Sequence, residues 1–227
     1  MLSRRSFVAA VAALVAPLLP LPALAADKDP VIKVACVGDS ITYGAGIKDR
    51  DVNSYPAVLG KLLGDKYEVK NFGNSGSTLL RAGDKAYHKQ KEYAAAIAFK
   101  PDIVVIKLGT NDSKPQNWAK KADFAADYKK LVADFKAANP AAKVYAALPV
   151  PVYGTGNFKI TDEVVKPEVI PAIKQVAADE KLEVIDLYAA LSDKPKLFPD
   201  KVHPNAEGAK LIAKAVYKAI TGKDAAE

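Results

Sequence analysis

Little in this 227-residue chain can bridge, ligate or span. It holds one cysteine, two histidines, one tryptophan and one methionine. A lone cysteine leaves no disulfide framework, and the apolar run around Cys36 marks a buried, inert thiol. Two distant histidines and that cysteine make no recognisable ligand set, so no metal and no other cofactor is expected. Lysine and arginine outnumber aspartate and glutamate by 33 to 26, for a formal charge of +7. The basic residues are scattered along helical segments, however. No basic block with interleaved aromatics appears, which argues against a nucleic-acid partner. The surplus fits a solvated lysine-rich surface, with an acidic glycan as the only partner it mildly favours. Nor is there an unbroken apolar run of about 20 residues, the length a spanning helix needs.

The nearest approach to such a run is at the start. Residues 8–24 are rich in alanine and leucine but are interrupted by Pro17, Pro20 and Pro22. They follow Arg4-Arg5-Ser6-Phe7 and end in Ala23-Leu24-Ala25, small residues at the cleavage positions. This pattern reads as a secretory signal peptide over 1–25 with a twin-arginine-like start. The expectation is a chain cut after Ala25 and exported to the periplasm or the medium, with no membrane anchor after processing. Either export route remains open. Residues 26–227 then suit one domain with a sizeable core.

Along that domain, strand-like and helix-like segments alternate. Residues 31–37, 67–72, 102–108, 143–148 and 182–187 are short runs rich in β-branched residues, of which 31–37 (VIKVACV) and 102–108 (DIVVIKL) are examples. Runs apolar on consecutive positions are what strands buried on both faces show. Helical spacing appears over 55–63, 89–99, 124–138, 167–178 and 204–220, with Pro171 near the start of the fourth and Pro204 read as a first-turn residue of the last. Five strands separated by helices predict a single three-layer α/β/α sandwich on a parallel sheet. Ligands in such sheets collect beyond the carboxyl ends of the strands, near the switch in strand order.

Four short strings stand at such ends: Gly38-Asp39-Ser40, the stretch 71–76 (NFGNSG), Gly109-Thr110-Asn111-Asp112, and Asp200-Lys201-Val202-His203. Ser40 follows a strand on a tight turn in which Gly38 is expected to take angles closed to other residues. Standing alone, Ser40 reads equally well as a helix cap. Gly38, Gly44 and Gly46 suggest a phosphate loop, but their spacing matches neither the dinucleotide fingerprint nor the P-loop. His203 has a carboxylate, Asp200, one turn upstream, so that one ring nitrogen can face the carboxylate while the other takes a serine proton. His88, flanked by solvated residues, reads as surface. Ser40 N–H, Gly76 N–H and the Asn111 amide are candidate donors to an oxyanion, with Gly73 three residues before Gly76 as the other candidate glycine. Trp118, Tyr153 and Phe158 lie near these strings and suit either stacking on a sugar face or packing under a loop.

Taken with their order and spacing, these four blocks resemble the SGNH hydrolases of the GDSL esterase superfamily, over nearly the whole chain after the leader. The resemblance implies a flavodoxin-like five-stranded architecture and a Ser40 nucleophile with His203 as base and Asp200 orienting it. It also implies an oxyanion hole from Ser40, Gly76 and Asn111. Two departures stand out: isoleucine follows Gly-Asp-Ser where many members carry leucine, and Ser77 follows Gly76 where aspartate is frequent. The loops around Asn111 and His203 resemble those of bacterial carbohydrate O-acetylesterases, sialate O-acetylesterase-like or acetylxylan esterase-like. The expected substrate is therefore a small-molecule or glycan acetyl ester. A thioesterase or lysophospholipase for longer acyl chains is the second reading, and a non-catalytic glycan-binding module the third. The sequence is silent on oligomeric state.

Overall fold

The computed structural model describes residues 30–154 and 159–225. The leader over 1–25 and Phe158 lie outside the described residues. Five parallel strands form one sheet: β1 (Ile32–Gly38), β2 (Tyr67–Gly73), β3 (Ile103–Lys107), β4 (Lys143–Ala147) and β5 (Glu183–Ile185). Their order is β2-β1-β3-β4-β5. After β2 the chain crosses back over β1 to place β3 on its other side, so the switch point falls between β1 and β3.

Successive residues of a strand point to opposite faces, and both faces here are covered. On one, Ala35, Val37, Val104, Ile106, Val144 and Ala146 are buried. They pack on helices α3 (Lys91–Ala98), α4 (Phe124–Ala138) and α5 (Ile170–Asp179) through Ala96, Tyr128, Phe135 and Ile173. On the other, Val34, Cys36, Val105, Tyr145 and Ala147 meet the second helical layer. That layer contains the short α1 (Ser40–Tyr43), α2 (Tyr55–Leu63), α6 (Leu187–Leu191) and α7 (Ala206–Thr221). The three-layer α/β/α sandwich explains the continuous apolar runs, because the central strands β1, β3 and β4 bury both of their stripes while the edge strands β2 and β5 are partly exposed. Cys36 is fully buried, and that burial pushes its thiol up to about 12 against a lowering bond from Tyr55.

Some boundaries differ from those read in the sequence, for local reasons. β5 stops at Ile185 because Asp186 caps α6, its carboxylate accepting from Ala189 N at 2.8 Å. Helix α5 begins only at Ile170, since Pro167, which has no N–H, sits in a wider π turn over Val165–Val169. Pro204 is not in the first turn of α7. It precedes Asn205, whose side chain caps the helix by accepting from Gly208 N at 3.0 Å. Among the described residues no helix is long and apolar enough to cross a membrane.

Candidate active site

Ser40 is the first residue of α1, just past the end of β1. Asp39 makes the turn possible by capping α1, its Oδ1 accepting from Ile41 N at 2.9 Å. Gly38 has no positive φ, contrary to the expectation for this turn. What it supplies is close approach: a Cβ there would lie 2.6 Å from Lys107 O and 2.1 Å from Thr42 Oγ1. The Ser40 hydroxyl lies 2.7 Å from His203 Nε2, and His203 Nδ1 lies 2.6 Å from Asp200 Oδ2. Nδ1 facing a carboxylate carries the ring proton, so Nε2 is the acceptor for the serine O–H.

The loop before α7 holds this histidine in place. Asp200 Oδ1 accepts from His203 N at 2.7 Å and from Val202 N at 3.0 Å. Partial burial raises the Asp200 carboxyl, the largest single effect. The backbone and ring hydrogen bonds from His203, with Val202 N–H, outweigh it and hold the group below its usual value. Asp200 therefore stays ionised beside the imidazole at neutral pH.

Two further strand ends close the site. Gly76, at φ 82°, follows β2 by a short turn, and Asn111 opens a 3-10 turn just beyond β3. Asn111 Nδ2 donates to Ser77 O at 3.1 Å, which ties the two loops together. Ser40, Gly76, Asn111 and His203 line one cavity of about 250 Å³ with Ala45, Ser75, Lys114 and Ile160. Gly73 lines no part of it, being the last residue of β2. Of the two candidate glycines, the fold brings Gly76 to Ser40. A groove of about 760 Å³ between the 193–197 loop and α7 is larger but contains no histidine and no serine. Chemistry rather than size singles out the smaller cavity.

Beneath these residues lies a buried ionic layer that the sequence reading passed over. Lys107 Nζ sits 3.1 and 3.0 Å from the two oxygens of Asp39 and 2.7 Å from Thr110 Oγ1, and neither charged side chain is exposed. Burial pulls the Lys107 ammonium below its usual range, while Asp39, through charge and hydrogen bonds, pushes the other way. Asp112 is fully buried too, and accepts from Leu79 N at 3.0 Å and Leu80 N at 2.7 Å. Its burial pushes it up to about 7, against those two N–H bonds. Removing one member of a buried ion pair typically costs about 3–5 kcal/mol, since the other charge is stranded. The visible signal was a lysine inside an otherwise apolar strand, next to a Gly-Asp-Ser string of equal depth.

The aromatic residues expected near the substrate are placed otherwise. Trp118 is buried in the core, packs edge-on against Phe124 at 5.4 Å and donates from Nε1 to Glu168 at 2.8 Å. Tyr153 packs at a tilt against Phe198 with ring centroids 5.0 Å apart, donates to Leu191 O at 2.6 Å and lines no part of the cavity. Trp118 serves packing and leaves no open face, whereas Tyr153 is half-buried and held by these contacts away from the cavity. Phe158 lies outside the described residues. His88 is away from the cavity but is not a plain surface residue. Its ring is partly buried, its Nδ1 has no hydrogen-bond partner among the described residues, and burial with Arg81 and Lys89 nearby holds it below the usual value.

Comparison with known proteins places these features in context. Residues 36–211 match the family described as GDSL-like lipase/acylhydrolase. An acetylxylan esterase of Xylanibacter ruminicola is 41% identical over 218 residues, covering 88% of this chain and 45% of that protein. The chain thus spans about half the length of that relative. Among solved structures, an aryl esterase of M. smegmatis superposes with a TM-score of 0.70 at 20% identity, covering 85% of this chain and 99% of the other. A carbohydrate acetylesterase of Sinorhizobium meliloti does so with a TM-score of 0.69 at 23% identity, covering 84% and 99%. At these identities the two structures speak for the fold.

Proposed function

Because this chain belongs to the GDSL-like lipase/acylhydrolase family, a family of carboxylic-ester hydrolases, we propose that it is a serine esterase that removes short acyl groups, acetyl first among them, from carbohydrate hydroxyls. The observation that carries the reading is the continuous contact from Asp200 through His203 to Ser40, at 2.6 and 2.7 Å, opening into a cavity that also holds Gly76 and Asn111. His203 Nε2 takes the Ser40 proton as Oγ attacks the ester carbonyl, and Asp200 stabilises the imidazolium that forms. The carbonyl oxygen becomes an oxyanion facing the Ser40 and Gly76 N–H groups and the Asn111 amide. A lost donor of this kind typically costs about 2.7–4 kcal/mol of barrier. Protonated His203 then gives its proton to the leaving alcohol, and water repeats the sequence on the acyl-enzyme.

The size of the cavity supports a short acyl group. Its 250 Å³ falls below the ~300–1,000 Å³ of drug-sized sites. Each CH₂ of a longer chain left outside forfeits about 0.8 kcal/mol of burial. The carbohydrate half of the proposal rests on the 41% identity to an acetylxylan esterase. The test is hydrolysis of aryl esters from acetate to octanoate, then of acetylated xylan and O-acetyl sialic acid, with Ser40→Ala as control. Activity that survives Ser40→Ala ends the esterase mechanism. A kcat/KM that climbs with chain length replaces the acetyl assignment with the thioesterase or lysophospholipase reading.

Export is the second part of the proposal, and the leader residues support it. The chain is cut after Ala25 and works in the periplasm or the medium, where an acetylated polysaccharide is accessible. Intact-mass measurement from the native host should find a chain starting Ala26-Asp27-Lys28. An uncut, membrane-associated chain contradicts it.

A further inference from the structure

Lys107 is the one lysine among the fully buried residues of the described sheet, and the esterase mechanism leaves it without a task. It closes β3 opposite Gly38 of β1, the last paired position of the two strands. Beyond that point β1 turns into α1 with Ser40, and β3 turns toward Asn111. Sheet pairing no longer fixes the separation of these two turns. The Lys107 side chain bridges them. An ammonium has three hydrogens, and three acceptors surround this one: both Asp39 oxygens, at 3.1 and 3.0 Å, and Thr110 Oγ1 at 2.7 Å. Asp39 directly precedes Ser40 and caps its helix, while Thr110 directly precedes Asn111.

We propose that Lys107 is a positioning residue for the esterase reaction: its buried ammonium ties Asp39 to Thr110 and so sets the distance between the Ser40 nucleophile and the Asn111 oxyanion donor. The inference rests on the esterase reading above. Stability alone gives no reason for such a group, since an apolar side chain fills a strand interior without desolvating an ammonium and a carboxylate. All three of its bonds end on residues adjacent to reacting groups, whereas a merely structural ion pair has no reason to be placed so. Asp112 extends the arrangement to the third arm, because it follows Asn111 and holds Leu79 and Leu80 of the loop that carries Gly76. A displacement of about 1 Å between reacting groups is worth on the order of 100-fold in rate, so the tie needs to hold only a small distance.

The test compares the native enzyme with Lys107→Met, with the double variant Lys107→Met/Asp39→Asn, and with Thr110→Val. In the double variant no buried charge is stranded, and the amide introduced by Asp39→Asn keeps a carbonyl oxygen to cap Ile41 N. Thr110→Val keeps the shape of the side chain and the Lys107–Asp39 pair but removes the acceptor on the second arm. Each is measured for melting temperature, for kcat and KM on an aryl acetate, and for the rate at which an aryl phosphonate labels Ser40. Lys107→Met melts lower, and the double variant regains much of that loss. Both lose roughly 10- to 100-fold in kcat with KM within about 3-fold, and phosphonylation slows in parallel, because the phosphonyl oxygen uses the same donors. Thr110→Val shows a smaller loss of kcat at near-native melting temperature, and decides the matter if the double variant fails to fold. A folded double variant, or Thr110→Val, with native kcat and native phosphonylation overturns the proposal and leaves Lys107 a structural residue. Native protein that is phosphonylated on Ser40 yet ignores acetyl esters counts against the acetyl assignment alone, and the labelling rates still judge Lys107. Native protein inert to both ends the esterase reading and the positioning role with it.

Discussion

Replacing Gly76 and Gly73 by alanine separates two kinds of glycine three residues apart. Gly76 has φ 82°, and a Cβ built there meets only Lys85 Cδ at 3.5 Å, an ordinary contact with a flexible side chain. The cost of Gly76→Ala is therefore conformational. A left-handed alanine costs about 1–2 kcal/mol, which for a domain of this size lowers the melting temperature by roughly 2–8 °C. The variant relieves that strain by rotating the peptide, and this moves the N–H away from the oxyanion. Losing one such donor reduces kcat about 100- to 1,000-fold. Gly73 is different. A Cβ there would lie 2.2 Å from Tyr43 N, 2.7 Å from Thr42 C and 2.8 Å from Tyr43 Cα, all backbone of α1. Normal contact lies near 3.5 Å, so helix and strand must part by about 1 Å. Overpacking of this kind costs about 1–3 kcal/mol or more, and it shifts Ser40 with its helix. Activity alone does not distinguish the variants, but stability and activity together do. Thermal melts alongside aryl acetate kinetics should show a mild melting change with a deep kcat loss for Gly76→Ala, and a larger melting change for Gly73→Ala. Native kcat in Gly76→Ala would remove its N–H from the oxyanion hole. A native-like melt for Gly73→Ala would refute the close-approach argument.

Four other outcomes follow from the site and its surroundings. His203→Ala should lower kcat on the order of 10⁴- to 10⁶-fold while His88→Ala keeps most activity; the reverse pattern in steady-state assays would move the base elsewhere. Asp112, raised to about 7 in the fold from an ordinary value of 3.8, contributes stability that is fully present below about pH 4 and lost as pH rises through 7, on the order of 4 kcal/mol in total. Denaturant titrations at pH 5 and 8 should show about 2.6 kcal/mol of this loss in the native chain and a flatter response in Asp112→Asn, and an equal change in both would dismiss the buried-carboxyl account. Asp200, held low, works in the opposite direction: its contribution is present above the ordinary carboxyl value and disappears on acidification below it. Cys36, with its thiol raised to about 12, should resist an aromatic disulfide reagent until the chain unfolds, and labelling of the native protein at the unfolded rate would contradict its burial.

Much of this protein is written locally in its chain. Runs such as DIVVIKL are apolar at nearly every step because both strand faces are covered, and that periodicity alone announces a parallel sheet between two helical layers. The spacing of Asp200 and His203 is likewise local, since one turn is enough to bring carboxylate and ring together. Helix boundaries were less legible where neighbouring groups compete for the same backbone N–H, as at Pro204 and Asn205. Depth was legible in continuous runs such as the one around Cys36, but not for isolated aromatic residues. Trp118 and Tyr153 stand near the reactive strings in sequence, yet the fold packs Trp118 in the core and holds Tyr153 away from the cavity, because a large aromatic side chain is most stable where it can bury its area and still satisfy its polar atom. The resemblance already favoured Gly76 over Gly73, but that Gly76 reaches the cavity of Ser40 while Gly73 ends β2 against α1 required the tertiary structure. The meeting of Asp39, Lys107 and Thr110 required the register that places Gly38 opposite Lys107. Composition and periodicity are properties of neighbours along the chain, so the sequence by itself determined the layers and named the candidate reacting groups. The distances among Ser40, Gly76 and Asn111 arise between three separate strand ends, and only the tertiary structure could decide them.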